Sequence, residues 1–139
     1  MELEVFEIFE RFSQQKTRKE KIEFLQDNGI PAVRDVLRGA YDASIEWNLP
    51  AGKPPYTPNR PESVPSSLRL KHRDFGFFVK GFNKSEGIAT YKRENMFIQL
   101  LESIHADDAL IVLNMVSKKA PYKGLTKKIV EEAFPNLLS

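Results

Sequence analysis

The chain has 139 residues, of which 41% are hydrophobic, with a net charge of +2 and no cysteine. This size suits one domain with a full apolar core. The lack of cysteine excludes disulfides and thiolate metal sites, and no apolar run approaches the ~18 residues that a membrane-spanning helix needs. Because the acidic, amphipathic first residues differ from a secretory signal peptide, we expect a soluble cytoplasmic protein without a membrane partner.

Three amphipathic helices are predicted in the first forty residues or so. Apolar residues at steps of three and four predict the first helix over Leu3–Ser13. Thr17-Arg18-Lys19-Glu20 has the form of a capping box and predicts the start of the second helix, which should stop at Asn28-Gly29. Pro31 suits the first turn of the third helix, which we expect to end near Gly39.

Six of the nine prolines lie between Pro50 and Pro65, where aliphatic residues are almost absent. This composition predicts a long extended segment. A linker between two domains is one interpretation, but the flanking pieces, about 50 and 75 residues long, are each marginal for a separate core. We therefore expect residues 1–139 to form a single helical domain with a proline-rich crossing loop at 50–65.

Helical patterns resume after this loop. Ser66 or Ser67 can cap a fourth helix, for which Gly81 is the predicted stop, and the polar string NKSEG is interpreted as a loop. Apolar spacing predicts a fifth helix that contains Met96 and Ile104.

A sixth helix is predicted from about Asp107 to Lys118, and a seventh between a Thr126 cap and Pro135. The fold prediction is thus all-α, a single compact domain of about six to seven helices. A shift of 76 positions also superimposes apolar residues of two helix pairs, which suggests two pseudo-symmetric halves. The superimposed pairs are Ile22 with Ile98, Leu25 with Leu101, Val36 with Val112 and Leu37 with Leu113.

Catalytic patterns are not found. His72 and His105 lie far apart in sequence and in no metal-ligand motif, so surface or capping roles are expected. The serines fall mostly at helix starts and turns. Asp107-Asp108 opens a helix, where carboxylates complement the helix dipole. We expect a protein that is not an enzyme and that has no metal site and no cofactor.

Basic residues cluster at two predicted helix starts. Lys127 and Lys128 oppose the positive end of a helix dipole, and a phosphate that accepts from the amides after Thr126 would relieve this, with Gly124 permitting close approach. A merely solvated face is the alternative, and Lys118 and Lys119 also suit a helix C-terminus. The predicted phosphate contacts are Lys16, Thr17, Arg18, Lys19, Lys118, Lys119, Lys123, Gly124, Thr126, Lys127 and Lys128.

Several strings follow the order and spacing of a known family: KTRKEKIEFLQDN leading into VRDVLRGAYD, then RENMFIQLLESIHADDALIVLNMVSKK, and finally GLTKKIVEEAFPNLL. From about Phe9 to Leu138, the chain resembles the all-helical N-terminal DNA-binding domain of ATP-dependent DNA ligases, especially that of T-even phage ligase. It also resembles small uncharacterised proteins of T-even-like phages that infect cyanobacteria.

The resemblance implies two pseudo-symmetric helical halves on the minor groove of duplex DNA, with loops and helix starts holding the phosphates around a nick. It carries these contacts onto Lys16–Lys19 and onto the turn Lys123–Thr126 with Lys127 and Lys128. A ligase also needs a K-x-D-G lysine that takes the adenylate, and the nearest string, Lys84-Ser85-Glu86-Gly87, lacks the aspartate. Ligation is therefore not predicted. The crossing loop is richer in proline than the family pattern, so no contacts are carried onto it.

We expect a stand-alone, non-catalytic protein that binds double-stranded or nicked DNA as a phage replication, repair or recombination accessory factor in the host cytoplasm. The alternative is a protein-interaction module that uses Phe77, Phe78, Phe82 or the proline-rich loop to dock a replication, transcription or host protein. A virion structural protein is a third alternative.

Overall fold

The computed structural model describes residues 2–139, and over that range the regular structure consists of helices, with two isolated β-bridges and no β-strand. This confirms the all-α prediction, with eight α-helices instead of six or seven. The elements are α1 (Val5–Ser13), α2 (Arg18–Asp27), α3 (Pro31–Tyr41), α4 (Leu68–Lys71), a 3-10 helix (His72–Phe78), α5 (Asn83–Glu86), α6 (Thr90–Ser103), α7 (Ala106–Val116) and α8 (Lys127–Ala133).

The first helices begin at local capping signals. The carboxylate of Glu7 accepts the backbone N–H of Glu4 at 2.9 Å, so α1 begins at Val5 instead of Leu3. Thr17 Oγ1 accepts the N–H of Glu20 at 3.1 Å and thereby starts α2, as predicted. Pro31 occupies the first turn of α3, also as predicted, because its missing N–H would have no intrahelical partner there.

Gly39 lies inside α3, which ends near it as predicted, but the glycine itself is not the helix stop. The helix continues to Tyr41. A Cβ atom on Gly39 would lie 2.6 Å from Trp47 Cζ2 and 2.7 Å from Met115 Sδ, which means that two side chains pack directly against its backbone. The Gly39 carbonyl also accepts a hydrogen bond from Trp47 Nε1 at 3.0 Å. The glycine therefore serves close packing.

The proline-rich segment lies against the end of α6, as expected for a crossing loop. Glu102 holds it at two points: its carboxylate accepts the N–H of Thr57 at 2.8 Å, and its carbonyl accepts from Asn59 Nδ2 at 3.1 Å. Farther along, the N–H of Ser66 donates to the carbonyl of Ser103 at 2.7 Å. The loop thus connects α3 to α4 across the surface of the same domain.

The predicted single helix between Ser67 and Gly81 is divided into α4 and the 3-10 helix, and this prediction was wrong in its length. After Phe78 the backbone becomes extended because it pairs with the segment that follows α3. The N–H of Asn48 donates to Phe78 O at 2.6 Å, and the N–H of Lys80 donates to Glu46 O at 2.8 Å. These bonds fix the chain in a direction that a continuing helix could not take.

The string NKSEG, predicted as a loop, forms α5 up to Glu86. Its Ser85 is buried, and the hydroxyl accepts from Asn48 Nδ2 at 3.2 Å. The buried guanidinium of Arg93 donates to the carbonyls of Asn48 and Ile88 at 2.9 and 3.0 Å. These contacts order a polar string that is too short to hold a helix alone, since four residues are far below the length that is stable in isolation.

The buried apolar residues form one core to which α1, α2, α3, α6, α7 and α8 all contribute. At its centre α3 packs on α7. The 76-residue shift carries α2 onto the second half of α6 and α3 onto α7, and Leu25 and Leu101 are both fully buried, as are Val36 and Val112. The suggested repeat therefore relates α3 to α7, two helices that contact each other in the core.

Candidate functional site

The first basic segment lies at the start of α2. Lys16, Thr17, Arg18 and Lys19 are all exposed, but they are not equivalent. The hydroxyl of Thr17 is engaged in the cap of α2. Arg18 Nη2 lies 2.9 Å from Glu132 Oε1 on α8, and this guanidinium lowers the pKa of the Glu132 carboxyl. The free cationic groups of this segment are therefore Lys16 and Lys19.

Lys118, a predicted phosphate contact, is a tether within the fold. Its ammonium donates to the carbonyls of Gly39 and Asp42, both at 2.8 Å, and so satisfies acceptors at the C-terminus of α3. Partial burial lowers the pKa of the Lys118 ammonium, while the nearby Asp42 and Glu46 carboxylates act in the opposite direction. The charge of Lys118 thus serves another helix end, and its contact with phosphate stays a prediction.

The backbone of Lys118 has a second structural role at the end of α7. Its φ angle is +58°, a left-handed conformation that non-glycine residues rarely adopt. The N–H of Lys118 donates to Met115 O at 3.0 Å, and the N–H of Lys119 donates to Asn114 O at 2.9 Å. This pair of bonds is the Schellman motif that closes many helices, here with lysine at the usual glycine position.

The turn between α7 and α8 is held on its inner side by apolar contacts. Tyr122 packs near Phe9, with 6.2 Å between the ring centroids, and Leu125 is fully buried. The Leu125 carbonyl also accepts a hydrogen bond from the Tyr41 hydroxyl. Gly124 has a φ of +84°, and a Cβ atom there would meet nothing within 4 Å, so the outer side of the turn is open.

The start of α8 presents two lysines to solvent. Thr126 Oγ1 accepts the N–H of Ile129 at 3.3 Å, which is the predicted cap. Lys127 and Lys128 follow in the first turn and are exposed, as is Lys123 in the turn before. The first amides of a helix have no intrahelical acceptor, so positive side chains and outward amide dipoles coincide here.

The two basic segments lie at the same end of the molecule. Lys123 lines a groove of about 450 Å³ together with Glu10 and Ser13 of α1. Lys16 follows Ser13 by three positions, a separation of at most about 11 Å along the chain. Both segments therefore flank the C-terminal half of α1, while α2 and α8 themselves pack together.

Six lysines at this end have no carboxylate within 4.0 Å among residues 2–139, and we call them the basic end: Lys16, Lys19, Lys119, Lys123, Lys127 and Lys128. Glu10 and Glu20 lie in the same region and reduce the local positive charge. Of the eleven residues predicted from the sequence, these six present free charge. Gly124 shapes the turn, Thr17 and Thr126 cap helices, Arg18 is paired, and Lys118 is a tether.

Two side chains of the basic stretch between Leu68 and Asp74 are engaged in structure. Arg69 pairs with Glu2 and Glu4, and the expected surface residue His72 is in fact buried, with Nδ1 2.6 Å from Asp35 Oδ2. His105 does cap α7, since its Nδ1 accepts the N–H of Asp107 at 3.0 Å.

The aromatic docking residues of the alternative function are only partly available. Phe78 is buried in the core, and Phe77 is half-buried with the Lys84 ammonium 5.5 Å from its ring centroid. Phe82 is 52% exposed and remains accessible. A protein-docking surface built on all three aromatic residues is therefore not present.

Sequence reasoning missed the roles of two acidic groups, the partly exposed Asp35 and the buried Asp108. Asp35 bridges Arg38 and His72, and the only local signal was the i, i+3 spacing of Asp35 and Arg38 on α3. Asp108 was interpreted only as a carboxylate that complements the dipole at a helix start, and its complete burial was not foreseen. Nothing in its local sequence distinguishes it from the exposed Asp107.

These features define a small all-α protein with one apolar core and a basic end. Within residues 2–139, no three His, Asp or Glu side chains come together to hold a metal ion, and no helix is long and apolar enough to cross a bilayer. The chain belongs to the family DUF6433, a family of unknown function whose profile matches residues 8–121. The match ends just before Lys123 and therefore includes only part of the basic end. No curated protein and no solved structure gives a significant match.

Proposed function

We propose that this protein binds double-stranded or nicked DNA without catalysis, through sugar-phosphate contacts made by the basic end, as a phage replication, repair or recombination accessory factor. The observation that carries this proposal is the meeting of both basic segments at the end of α1, where Lys123 and Ser13 line one groove and Lys16 follows shortly after. A duplex presents phosphates along both strands, so two cationic segments on one surface can contact it simultaneously.

The resemblance to ligase DNA-binding domains points to the same two segments. The start of α8 adds free amides to the charge of Lys127 and Lys128, an arrangement that favours anions. Contacts of this kind bind the DNA backbone and carry little sequence information. We therefore expect binding with weak sequence preference and strong salt dependence.

The salt dependence gives a quantitative test of which cations take part. Six free lysines that neutralise six phosphates would give a slope of log affinity against log salt of about −5. If Arg18 and Lys118 contributed as well, eight contacts would give about −7. Because these two residues are engaged within the fold, we expect the smaller value.

The decisive experiment replaces Lys123, Lys127 and Lys128 together by glutamate and measures fluorescence anisotropy with intact duplex, nicked duplex, single-stranded DNA and RNA. All three side chains are exposed and unpaired in residues 2–139, and acidic residues suit the start of α8, so the fold should persist. A matched control replaces Lys53, Arg60 and Lys92, three exposed cations outside the basic end, by glutamate.

We expect the first variant to lose duplex binding and the control to keep it. Salt-insensitive binding, or a first variant that binds as tightly as the unmodified protein, would overturn the proposal. Equal losses in both variants would attribute the effect to net charge, and the basic end would have no special role.

The second candidate is a protein-interaction module, favoured by the proline-rich segment, where Val64 is 98% exposed. Extended proline-rich segments are frequent ligands of partner proteins. Retention of a protein partner after nuclease treatment, together with no anisotropy change on any nucleic acid, would favour this function, and detection in purified particles would favour a virion component.

A further inference from the structure

We propose that the cavity between α3, the 3-10 helix and α5 binds a single nucleotide unit, with its base against aromatic side chains and its phosphate on a cationic wall. The cavity measures about 450 Å³, which is within the usual range for small-molecule sites. It shares no lining residue with the basic end, so the proposal does not depend on DNA binding there.

The aromatic lining residues of the cavity, which we call its aromatic wall, supply surfaces for a planar ring. Trp47, Phe75 and Phe82 line it. Trp47 is fixed by its hydrogen bond to Gly39 and by an edge contact with Phe75, with 6.1 Å between the ring centroids. Phe82 is 52% exposed at the mouth. Fixed and accessible aromatic side chains at one site are the arrangement on which nucleobases stack.

The basic lining residues are called the cationic wall here, and Lys84 among them lies beside Phe82 near Gly76. Arg38, Arg73 and Lys84 line it, and Asp35 is the only carboxylate among the lining residues, so the lining has a net charge of +2 with His72 neutral. Both oxygens of Asp35 are already engaged, Oδ1 by Arg38 Nη2 at 3.1 Å and Oδ2 by His72 Nδ1 at 2.6 Å. The carboxylate therefore positions these two side chains more than it repels an anion.

The cationic wall retains donor capacity that the fold does not use. Arg38 Nε is buried and has no hydrogen-bond partner within residues 2–139. Arg73 and Lys84 have no carboxylate within 4.0 Å over the same range. Arg73 and Lys84 are exposed lining residues of the cavity, so they are the donors that a phosphate oxygen can reach directly.

A nucleotide accounts for both walls together, since it joins a planar ring to a phosphate. Inorganic phosphate alone would leave the aromatic wall unused, and an uncharged nucleoside would leave the cations unused. The nucleotide can come from two sources, a free mononucleotide or the phosphorylated end of a DNA strand, which share the same chemistry at this site.

Trp47 is the only tryptophan of the chain and lies in the cavity wall, so its fluorescence reports occupancy directly. We would titrate the protein with adenosine monophosphate, thymidine monophosphate, adenosine and inorganic phosphate. A 5′-phosphorylated single-stranded oligonucleotide would be titrated into the variant with glutamate at positions 123, 127 and 128, so that the basic end does not contribute. The site variant is Arg73→Gln with Lys84→Gln, and the control is Lys53→Gln with Lys92→Gln.

We expect saturable quenching by a mononucleotide with a Kd of about 1 mM or tighter. Adenosine and phosphate should bind at least about tenfold more weakly. The site variant should lose a similar amount of affinity for the mononucleotide, and the control should lose none. A response to the oligonucleotide as well identifies a strand end as a second source. Absence of quenching by both mononucleotides and the oligonucleotide, equal affinity for phosphate alone, or an unaffected site variant would each overturn the proposal. The result is independent of whether the basic end binds duplex.

Discussion

The buried carboxyl of Asp108 should make the free energy of unfolding of this protein fall as the pH rises. Its Oδ1 accepts the N–H of Phe6 at 2.9 Å, and its Oδ2 is buried without a hydrogen-bond partner in residues 2–139. Burial raises the pKa of Asp108 from 3.8 to about 7; the Phe6 hydrogen bond opposes this, and the charges of Glu4, Asp107 and Glu7 add to it. The folded protein therefore holds a proton here that the unfolded chain releases.

The sign and size of the effect follow from linkage. Below about pH 3.8 the carboxyl is protonated in both states, so the stabilisation associated with this group is fully present. Between that pH and about 7 the unfolded chain binds fewer protons, and the free energy of unfolding falls by about 1.4 kcal/mol per pH unit. The whole difference between 3.8 and about 7 corresponds to roughly 4 kcal/mol, a large part of a typical domain's stability.

The perturbation that isolates this group is Asp108→Asn, which removes the ionisation and keeps an oxygen that can accept from Phe6. Urea unfolding at about pH 5 and pH 8 should show a loss of roughly 3 kcal/mol in the unmodified protein that is absent in the variant. Any constant cost of burying the amide cancels, because the two pH values are compared within each protein. The control is Asp107→Asn, which alters an exposed carboxylate in the same turn.

Equal pH dependence in the unmodified protein and Asp108→Asn would refute the reasoning, as would an equal flattening in Asp107→Asn. Asp42 does not interfere in this window. A hydrogen bond from Ser44 lowers the pKa of Asp42 to about 2, so the stability it contributes is present above about pH 4 and lost only as the pH falls toward 2.

Two further predictions test contacts between helices. Lys118→Ala should destabilise the fold by about 1–3 kcal/mol in urea unfolding, because the carbonyls of Gly39 and Asp42 lose a charged donor. The DNA affinity of this variant at a given salt concentration should be unchanged. A variant as stable as the unmodified protein would contradict the tether. Gly39→Ala should cost about 2 kcal/mol or more, since its Cβ would lie within 2.7 Å of Trp47 and Met115. Gly76→Ala, where φ is not positive and the nearest side-chain atoms would lie 3.6 Å from the Cβ, is its control for packing, and a smaller loss at Gly39 than at Gly76 would contradict the packing role.

The sequence could predict those parts of the fold that depend on neighbouring residues. The caps at Thr17, Ser67 and Thr126 and the proline at the start of α3 all act within one helical turn, and each is present. The failures arose from distant partners. Gly39 resembled a helix stop because its packing contacts come from Trp47 and Met115, which lie outside its own helical turn in the sequence.

The basic end shows the same limit in the candidate site. Net positive charge and exposure at the start of α8 were predictable, because a stretch without acidic residues has few local partners for its lysines. Which lysines remain free was not predictable. The acceptors of the Lys118 ammonium lie about eighty positions away in the sequence, at the end of α3. Arg18, at the start of α2, pairs with Glu132 on α8. Charge counted along the sequence therefore gives an upper limit on phosphate contacts.

The aromatic and cationic cavity was beyond the sequence for a geometric reason. Trp47 reaches it because the segment after α3 pairs with the backbone at Val79, and this same pairing ends the 3-10 helix that carries His72 and Arg73. One interruption of a predicted helix thus brings Trp47 next to the residues that line the cavity with it. Because a continuous helix to Gly81 would remove that pairing, the wrong helix prediction and the missed site have a single physical cause.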